Sequence, residues 1–312
     1  MKKTIFTLLL FSAIGLLSCR KNTVFPNISQ QDTQQILSYI SANGITGMRR
    51  DTTSGDTSGI YYEPILPGIA GTSYKYSDSV AFVYTERSFD GNYIFPDTTI
   101  NHYDDFTGHI SINSLPYGLQ LVIYDVLKRG GSMRVLVPSH LAYGVNGFGS
   151  GSSQNANTRI AGNQCMDFYI HSIVNEPAYD DLVIRNFMAQ NGYAGWQRTA
   201  DGLWYIVHTP GIGNDLITNN TTVTMTYTAD QLNGIIFDQY NSLDGSGTAF
   251  DIPDLPPGEV EGLEKFATTG TYLGLLVPSQ LAYATHTASG NAGLLPANSV
   301  LHYEIRVVSV SP

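Results

Sequence analysis

The sequence predicts an α+β protein of two tandem domains, each an antiparallel sheet wrapped on a short helix and each preceded by a helical leader. Three observations carry that expectation. The stretch Val135-Leu136-Val137-Pro138-Ser139-His140-Leu141-Ala142-Tyr143 returns as Leu275-Leu276-Val277-Pro278-Ser279-Gln280-Leu281-Ala282-Tyr283. Around each copy the same succession of strand and helix signals appears, with Asn175-Glu176-Pro177 as the joint between them. At 312 residues and 42% apolar content, the chain is long enough to bury two cores.

In chain order, Lys2 and Lys3 precede an apolar run from Ile5 to Leu17, a secretory signal pattern too short to span a bilayer comfortably. Residues 1–18 are read as a signal peptide and 19–31 as a polar tether. The first domain, 32–175, opens with a helix that Asp32 caps, whose apolar positions Ile36, Leu37 and Ile40 fall on one face and which ends at Asn43-Gly44. A loop over Asp51–Gly59 follows, then strands at Ile60–Leu66 and Val80–Ser88 and a short one over Phe106–Ile112. Leu119, Val122, Ile123, Val126 and Leu127 have helical spacing, and Gly130-Gly131 stops that helix. Strands at Val135–Tyr143 and Met166–Val174 close the unit around a Gly/Ser/Asn-rich loop.

The second domain, 178–312, repeats this order. A helix over Tyr179–Gln190 ends at Asn191-Gly192, and a strand over Leu203–His208 stops at Pro210-Gly211. Thr222–Leu232 is a strand, Gly258–Phe266 a short helix, and Tyr272–Val277 and Val300–Val310 are strands.

Composition narrows the function. Charged residues make up 13% of the chain and the net charge is −10, with no basic cluster after Arg50, which argues against nucleic acid and an electrostatically held membrane surface. The 20 tyrosines suit sheets and aromatic pockets. Two cysteines without a CxxC pair exclude a disulfide framework and a structural zinc site. The histidines, His102, His109, His140, His171, His208, His286 and His302, lack metal-ligand spacing and read as surface or strand residues. Neither Ser139 nor Ser279 sits in a nucleophile elbow, and Gly147-Phe148-Gly149-Ser150-Gly151 lacks the lysine and helix of a phosphate loop.

Each unit resembles the FKBP-type peptidyl-prolyl cis-trans isomerases. In the second, Tyr227-Thr228-Ala229 and Asn233-Gly234-Ile235-Ile236-Phe237-Asp238 are similar to the family's Tyr-Thr-Gly and Asp-Gly-x-x-Phe-Asp segment. Val260-Glu261-Gly262-Leu263 resembles its Val-Ile-x-Gly-Trp turn, with Leu263 at the pocket-floor tryptophan. Leu281-Ala282-Tyr283-Ala284 resembles Leu-Ala-Tyr-Gly, and Leu294-Leu295-Pro296 with Leu301-His302-Tyr303 resembles the family's ending. The resemblance implies a pocket of Tyr227, Phe237, Asp238, Phe250, Val260, Leu263, Tyr283, Leu295 and Tyr303. In it Asp238 accepts from Tyr227, the Val260 N–H holds the carbonyl after the proline ring, and the Tyr283 hydroxyl holds the one beside the twisting bond.

The first unit is a diverged copy. Tyr84, Phe95, Phe106, Leu119, Tyr143, Ile160 and Phe168 fall in register as a degenerate pocket. Ile94-Phe95-Pro96 lacks the carboxylate unless Asp97 replaces it, and Pro116, which has no N–H, stands where the family's backbone donor lies. Leu16-Leu17-Ser18-Cys19 is similar to the lipobox of bacterial lipoproteins, implying lipidation of Cys19. The expected protein is a lipid-anchored foldase of a Gram-negative envelope, on the periplasmic side. It acts as a monomer on proline-containing polypeptides, mainly through the second domain, without cofactor, metal or nucleic acid. The alternatives are a non-catalytic chaperone or binding module and, further off, an accessory of a surface nutrient-uptake complex.

Overall fold

A computed structural model of the chain describes residues 27–53, 58–96, 98, 101–149, 159–242 and 244–312. The expected signal peptide, Cys19 and Asp97 lie outside these residues. The first unit runs α1 (Ile28–Ala42), β1 (Arg49–Arg50), β2 (Tyr61–Leu66), β3 (Ser79–Ser88), β4 (Ile94–Phe95), β5 (His102–Phe106), α2 (Tyr117–Asp125), β6 (Ser132–Val137) and β7 (Met166–Ile173). The second runs α3 (Glu176–Asn191), β8 (Gln197–Arg198), β9 (Trp204–Thr209), β10 (Thr222–Gln231), β11 (Ile236–Tyr240), β12 (Thr248–Asp251), α4 (Pro257–Phe266), β13 (Tyr272–Val277), β14 (Ala288–Ser289), β15 (Leu294–Leu295) and β16 (Leu301–Ser311).

The sheet orders, β1-β2-β6-β7-β3-β4 with β5 on β3, and β8-β9-β13-β16-β10-β11 with β12 on β10, are one topology used twice. Every strand pair is antiparallel, and the registers correspond. Tyr84 pairs with Ile170 and Glu86 with Phe168 in one unit, as Tyr227 pairs with Ile305 and Ala229 with Tyr303 in the other. Along β10, Val223, Met225, Tyr227, Ala229 and Gln231 are buried in strict alternation, so one face of the strand looks into the core.

The short helix lies against that face at very close range. At Gly258 an added Cβ would stand 2.5 Å from Val277 Cγ1 and 3.1 Å from the Leu281 carbonyl oxygen. Gly118 meets Val137 and Leu141 in the same way. Only a residue without a side chain tolerates this approach. The two glycines therefore mark equivalent points on α2 and α4.

The leaders differ from the sequence expectation in an informative way. Asp32 does not cap α1; Asn27 does, in a reciprocal box in which the Gln30 N–H donates to Asn27 Oδ1 at 2.9 Å and the Asn27 N–H to Gln30 Oε1 at 3.2 Å. The helix thus takes up the end of the expected tether, and Asp32 sits inside it. Its buried carboxylate accepts from Ser139 Oγ at 2.7 Å and lies 2.7 Å from His140 Nδ1. Asp180, placed identically in α3, accepts from the Ser279 N–H at 2.8 Å and Oγ at 2.7 Å. Each leader is therefore pinned by one carboxylate to the serine after the proline of the repeated motif. Ser139 and His140 both address the same carboxylate, which is a docking contact and not a relay. Beside it lies Cys165, fully buried, its thiol pushed up to about 12 by burial and then by Asp32.

Two further expectations are corrected. Strand β5 ends at Phe106 and a 3-10 turn, Thr107–His109, follows, because Asp105 and Thr107 tie the chain back on itself. The stretch Val135–Tyr143 is not one strand: Pro138 ends β6, and Ser139–Leu141 forms a 3-10 turn that delivers the tyrosine. His102, the first residue of β5, has its side chain buried 3.5 Å from Glu176 at the junction, and burial lowers its pKa to about 4.

Asp180→Ala leaves the buried Ser279 N–H without an acceptor and should cost about 1–3 kcal/mol in urea unfolding. Ala284 holds φ +51°, where the first unit has Gly144 at φ +61°. Ala284→Gly should therefore raise stability by about 1 kcal/mol, read in the same unfolding experiment.

Candidate active site

Strand alternation on β10, the β10–β11 hairpin and the turn after β13 bring one aromatic cluster together in the second unit. The Tyr227 ring lies 5.6 Å from Phe250, 5.6 Å from Tyr240 and 6.1 Å from Tyr303. Phe237 meets Tyr283 edge-on at 5.5 Å. Leu295 is buried in the same cluster. The Tyr227 hydroxyl donates to Asp238 Oδ2 at 2.6 Å. Asp238 is held in turn by the Asn291 N–H at 3.0 Å, and the Asn291 side chain donates to the Gln239 carbonyl at 2.6 Å, so the β14–β15 hairpin is clamped to β11. Among the described residues the Tyr283 hydroxyl has no hydrogen-bond partner, while burial and then Glu259 raise its pKa. It is a donor in waiting at the edge of the aromatic cluster, beside the Phe237 ring.

The expected roles of Val260 and Leu263 are overturned by the register of α4. Because Gly258 occupies the place of Gly118, the residue matching Leu119 is Glu259, not Leu263. Leu263 is fully buried one turn further along, where it packs in the core. The Val260 N–H is consumed inside the helix, donating to the Pro256 carbonyl at 3.0 Å. Pro256 caps α4 as Pro116 caps α2, so the missing backbone donor that seemed peculiar to the first unit is common to both. The shared pattern Pro116-Tyr117-Gly118 and Pro256-Pro257-Gly258 was the sequence signal for this register. Glu259 itself was missed. It is 2% exposed, Oε1 has no hydrogen-bond partner among the described residues, and burial with the nearby Asp238 pushes its carboxyl up to about 8.

In the first unit Tyr84, Leu119, Tyr143, Ile160 and Phe168 gather in one core. Phe106 does not join them; it is 48% exposed and stands edge-on to His109, and Tyr103 from the same strand fills the core by stacking on Phe82. Phe95 is half-buried opposite Glu86, the position that Asp238 holds opposite Ala229. Glu86, which the sequence reading passed over, supplies the carboxylate that Phe95 lacks. Its Oε1 accepts from the Tyr143 hydroxyl at 2.6 Å, and burial raises it to about 7. Phe148 packs 5.0 Å from the Tyr143 ring. Tyr143 is therefore engaged where Tyr283 is not.

A separate hollow of 390 Å³ lies between α3 and the first unit's Thr98, lined by Tyr179, Val183, Phe187 and Leu232, and holds none of the expected site residues. Among the described residues no helix is long and apolar enough to cross a membrane.

No protein-family model matches the chain. A segment of 129 residues, 41% of the chain, is 30% identical to the FKBP-type peptidyl-prolyl cis-trans isomerase FkpA of Buchnera aphidicola. The match covers 48% of that protein, so the chain spans about half the length of the curated relative it matches. Similar solved structures include FkpA from Escherichia coli, at 26% identity over 44% of this chain and 60% of that one, with a TM-score of 0.37. A peptidyl-prolyl cis-trans isomerase from Pseudomonas syringae pv. tomato is 26% identical over 45% of this chain and 99% of its own, TM-score 0.36. The three FKBP domains of wheat FKBP73 cover 85% of this chain and 99% of their own at 16% identity, TM-score 0.33. Through that 129-residue segment, the chain is a homologue of the FKBP-type peptidyl-prolyl cis-trans isomerases.

Proposed function

We propose that the protein is a foldase that isomerises X–Pro bonds of envelope proteins, and that the aromatic cluster of the second unit carries the activity. The observation that supports this reading is the Tyr283 hydroxyl, without a hydrogen-bond partner among the described residues and beside Phe237 at the edge of the aromatic cluster. Rotation about an X–Pro bond gives up amide resonance, a barrier of about 18–20 kcal/mol, and takes roughly 10–100 s uncatalysed. A planar amide is strongly dipolar and well hydrated, and the twisted form is less so. A pocket that strips water away thus penalises the flat ground state more than the twisted transition state.

The walls of Tyr227, Phe237, Phe250 and Tyr303 take the proline ring, and Tyr283 donates to the carbonyl beside the twisting bond. Asp238 holds the Tyr227 hydroxyl and thereby fixes the ring that forms one wall. A millionfold acceleration needs only about 8 kcal/mol, which desolvation with one placed donor approaches. No nucleophile enters this chemistry. In the first unit, Glu86 competes for the Tyr143 hydroxyl.

A second reading, a chaperone that binds clients without isomerising them, is favoured by Pro256, which removes a backbone donor, and by the polar Glu259 on the pocket floor. We also propose that Cys19 carries lipid and holds the protein, as a monomer, on the periplasmic side of the envelope.

Tyr283→Phe in the full chain should lower kcat/KM for a proline peptide about tenfold, and Tyr143→Phe should leave it nearly unchanged. Equal rates for wild type and Tyr283→Phe, with aggregation of clients still suppressed, would favour the chaperone. Cys19→Ala should move the protein from the membrane fraction to the soluble fraction, and unchanged fractionation would remove the anchor.

A further inference from the structure

Beside the aromatic cluster α4 carries a carboxyl, Glu259, where the first unit has Leu119. Gly258 brings α4 so close to Val277 and Leu281 that the next residue has no route to solvent, and Glu259 is 2% exposed. Its Oε1 has no partner among the described residues, although an unpaired buried polar atom is costly. Every titratable group with a marked effect on it or from it belongs to the aromatic site: Asp238 on β11, Tyr227 on β10, Tyr303 on β16, and Tyr283 after the β13 turn. No cation is among them. The three phenols are all raised, burial being the largest cause in each, and so stay neutral across the range in which a carboxyl titrates.

We propose that Glu259 is a specificity-determining residue of the second pocket: its neutral acid form admits an apolar proline ring, its ionised form excludes the ring, and binding to the ionised protein takes up a proton from solution. The inference rests on the proposed function and deepens it. Glu259 is itself shut off from solvent, so a proline ring acts on it by displacing the water outside the aromatic cluster and lowering the dielectric around the carboxyl. An ionised carboxylate is destabilised further and gains no cation in return, whereas the neutral acid is little affected. With burial already holding the free carboxyl near a value of about 8, the acid form prevails at neutral pH and the ring enters. As pH rises past that value, the ring must first restore a proton to the floor. The effect falls on binding, because Glu259 acts on the ring and not on the carbonyl beside the twisting bond. The first pocket answers differently: Leu119 forms its floor, and its carboxyl, Glu86, is already paired with Tyr143.

The test uses the full chain, wild type and Glu259→Gln, with a proline tetrapeptide between pH 6 and 9.5. For wild type, KM should be flat to about pH 8 and then rise toward tenfold per pH unit, with kcat little changed. Glu259→Gln, which keeps the shape and cannot ionise, should abolish the rise. Glu259→Leu, a second uncharged floor, should do the same if the amide folds poorly. An active wild type with a flat profile, or the same rise in all three proteins, overturns the proposal. Carbon-13 NMR of the Glu259 carboxyl gives a readout independent of turnover. Titration in the ordinary carboxylate range overturns the inference whatever the activity, and a raised value in an inactive protein that still takes up a proton on binding peptide, by calorimetry in two buffers, upholds it while the isomerase reading fails.

Discussion

The contact on which this structure turns is the approach of a short helix to a sheet at a distance no side chain permits. Gly118 against Val137 and Gly258 against Val277 set the depth of α2 and α4 and, with it, their rotation. A helix turns about 100° per residue, so fixing one glycine on the sheet fixes which neighbour faces the aromatic residues. In the first unit that neighbour is Leu119, and in the second it is Glu259. The aromatic cluster, the capping prolines and the buried carboxyl are all read from this one register.

Each pocket thereby acquires a buried glutamate from a different element. Glu86 comes from β3 and takes the hydroxyl of Tyr143; Glu259 comes from α4 and leaves the hydroxyl of Tyr283 alone. Both are raised by burial, to about 7 and about 8. The carboxylate at the rim, Asp238, is different in kind: it is fastened by Tyr227 and by the backbone of Asn291, and it braces a wall instead of entering the floor. Two copies of one architecture thus present two different chemistries. The first closes its donor internally, and the second keeps it for a ligand.

The same repetition governs the leaders. Asp32 and Asp180, each the fifth residue of its helix, reach the serine that follows the repeated proline, while Ile36 and Ile184 fill the space behind. The proline ends the strand, the serine takes the leader, and the turn after it presents the tyrosine. One short motif therefore joins core, leader and pocket, which gives a physical reason for its appearance twice in nearly the same words.

The succession of the long strands and the two helices per unit were legible in the sequence, because alternation, proline stops and glycine turns are local rules; the grouping of Tyr227, Phe237, Phe250, Tyr283 and Tyr303 was implied by the family resemblance and by no local rule. The short partners β4, β11, β14 and β15 were not, since two to five residues carry no period and exist only through their neighbours. Phe106 looked like a pocket aromatic, but the strand ends on it and turns its ring toward His109. The helix register was beyond the sequence for a sharper reason. Gly258 and Gly262 lie one turn apart on the same face, and either could begin the floor. Local chemistry does not distinguish them. Only the sheet does, through a backbone approach that Gly258 makes against Val277 and Leu281, and that choice put a carboxyl in the pocket where the pattern of letters had put a leucine.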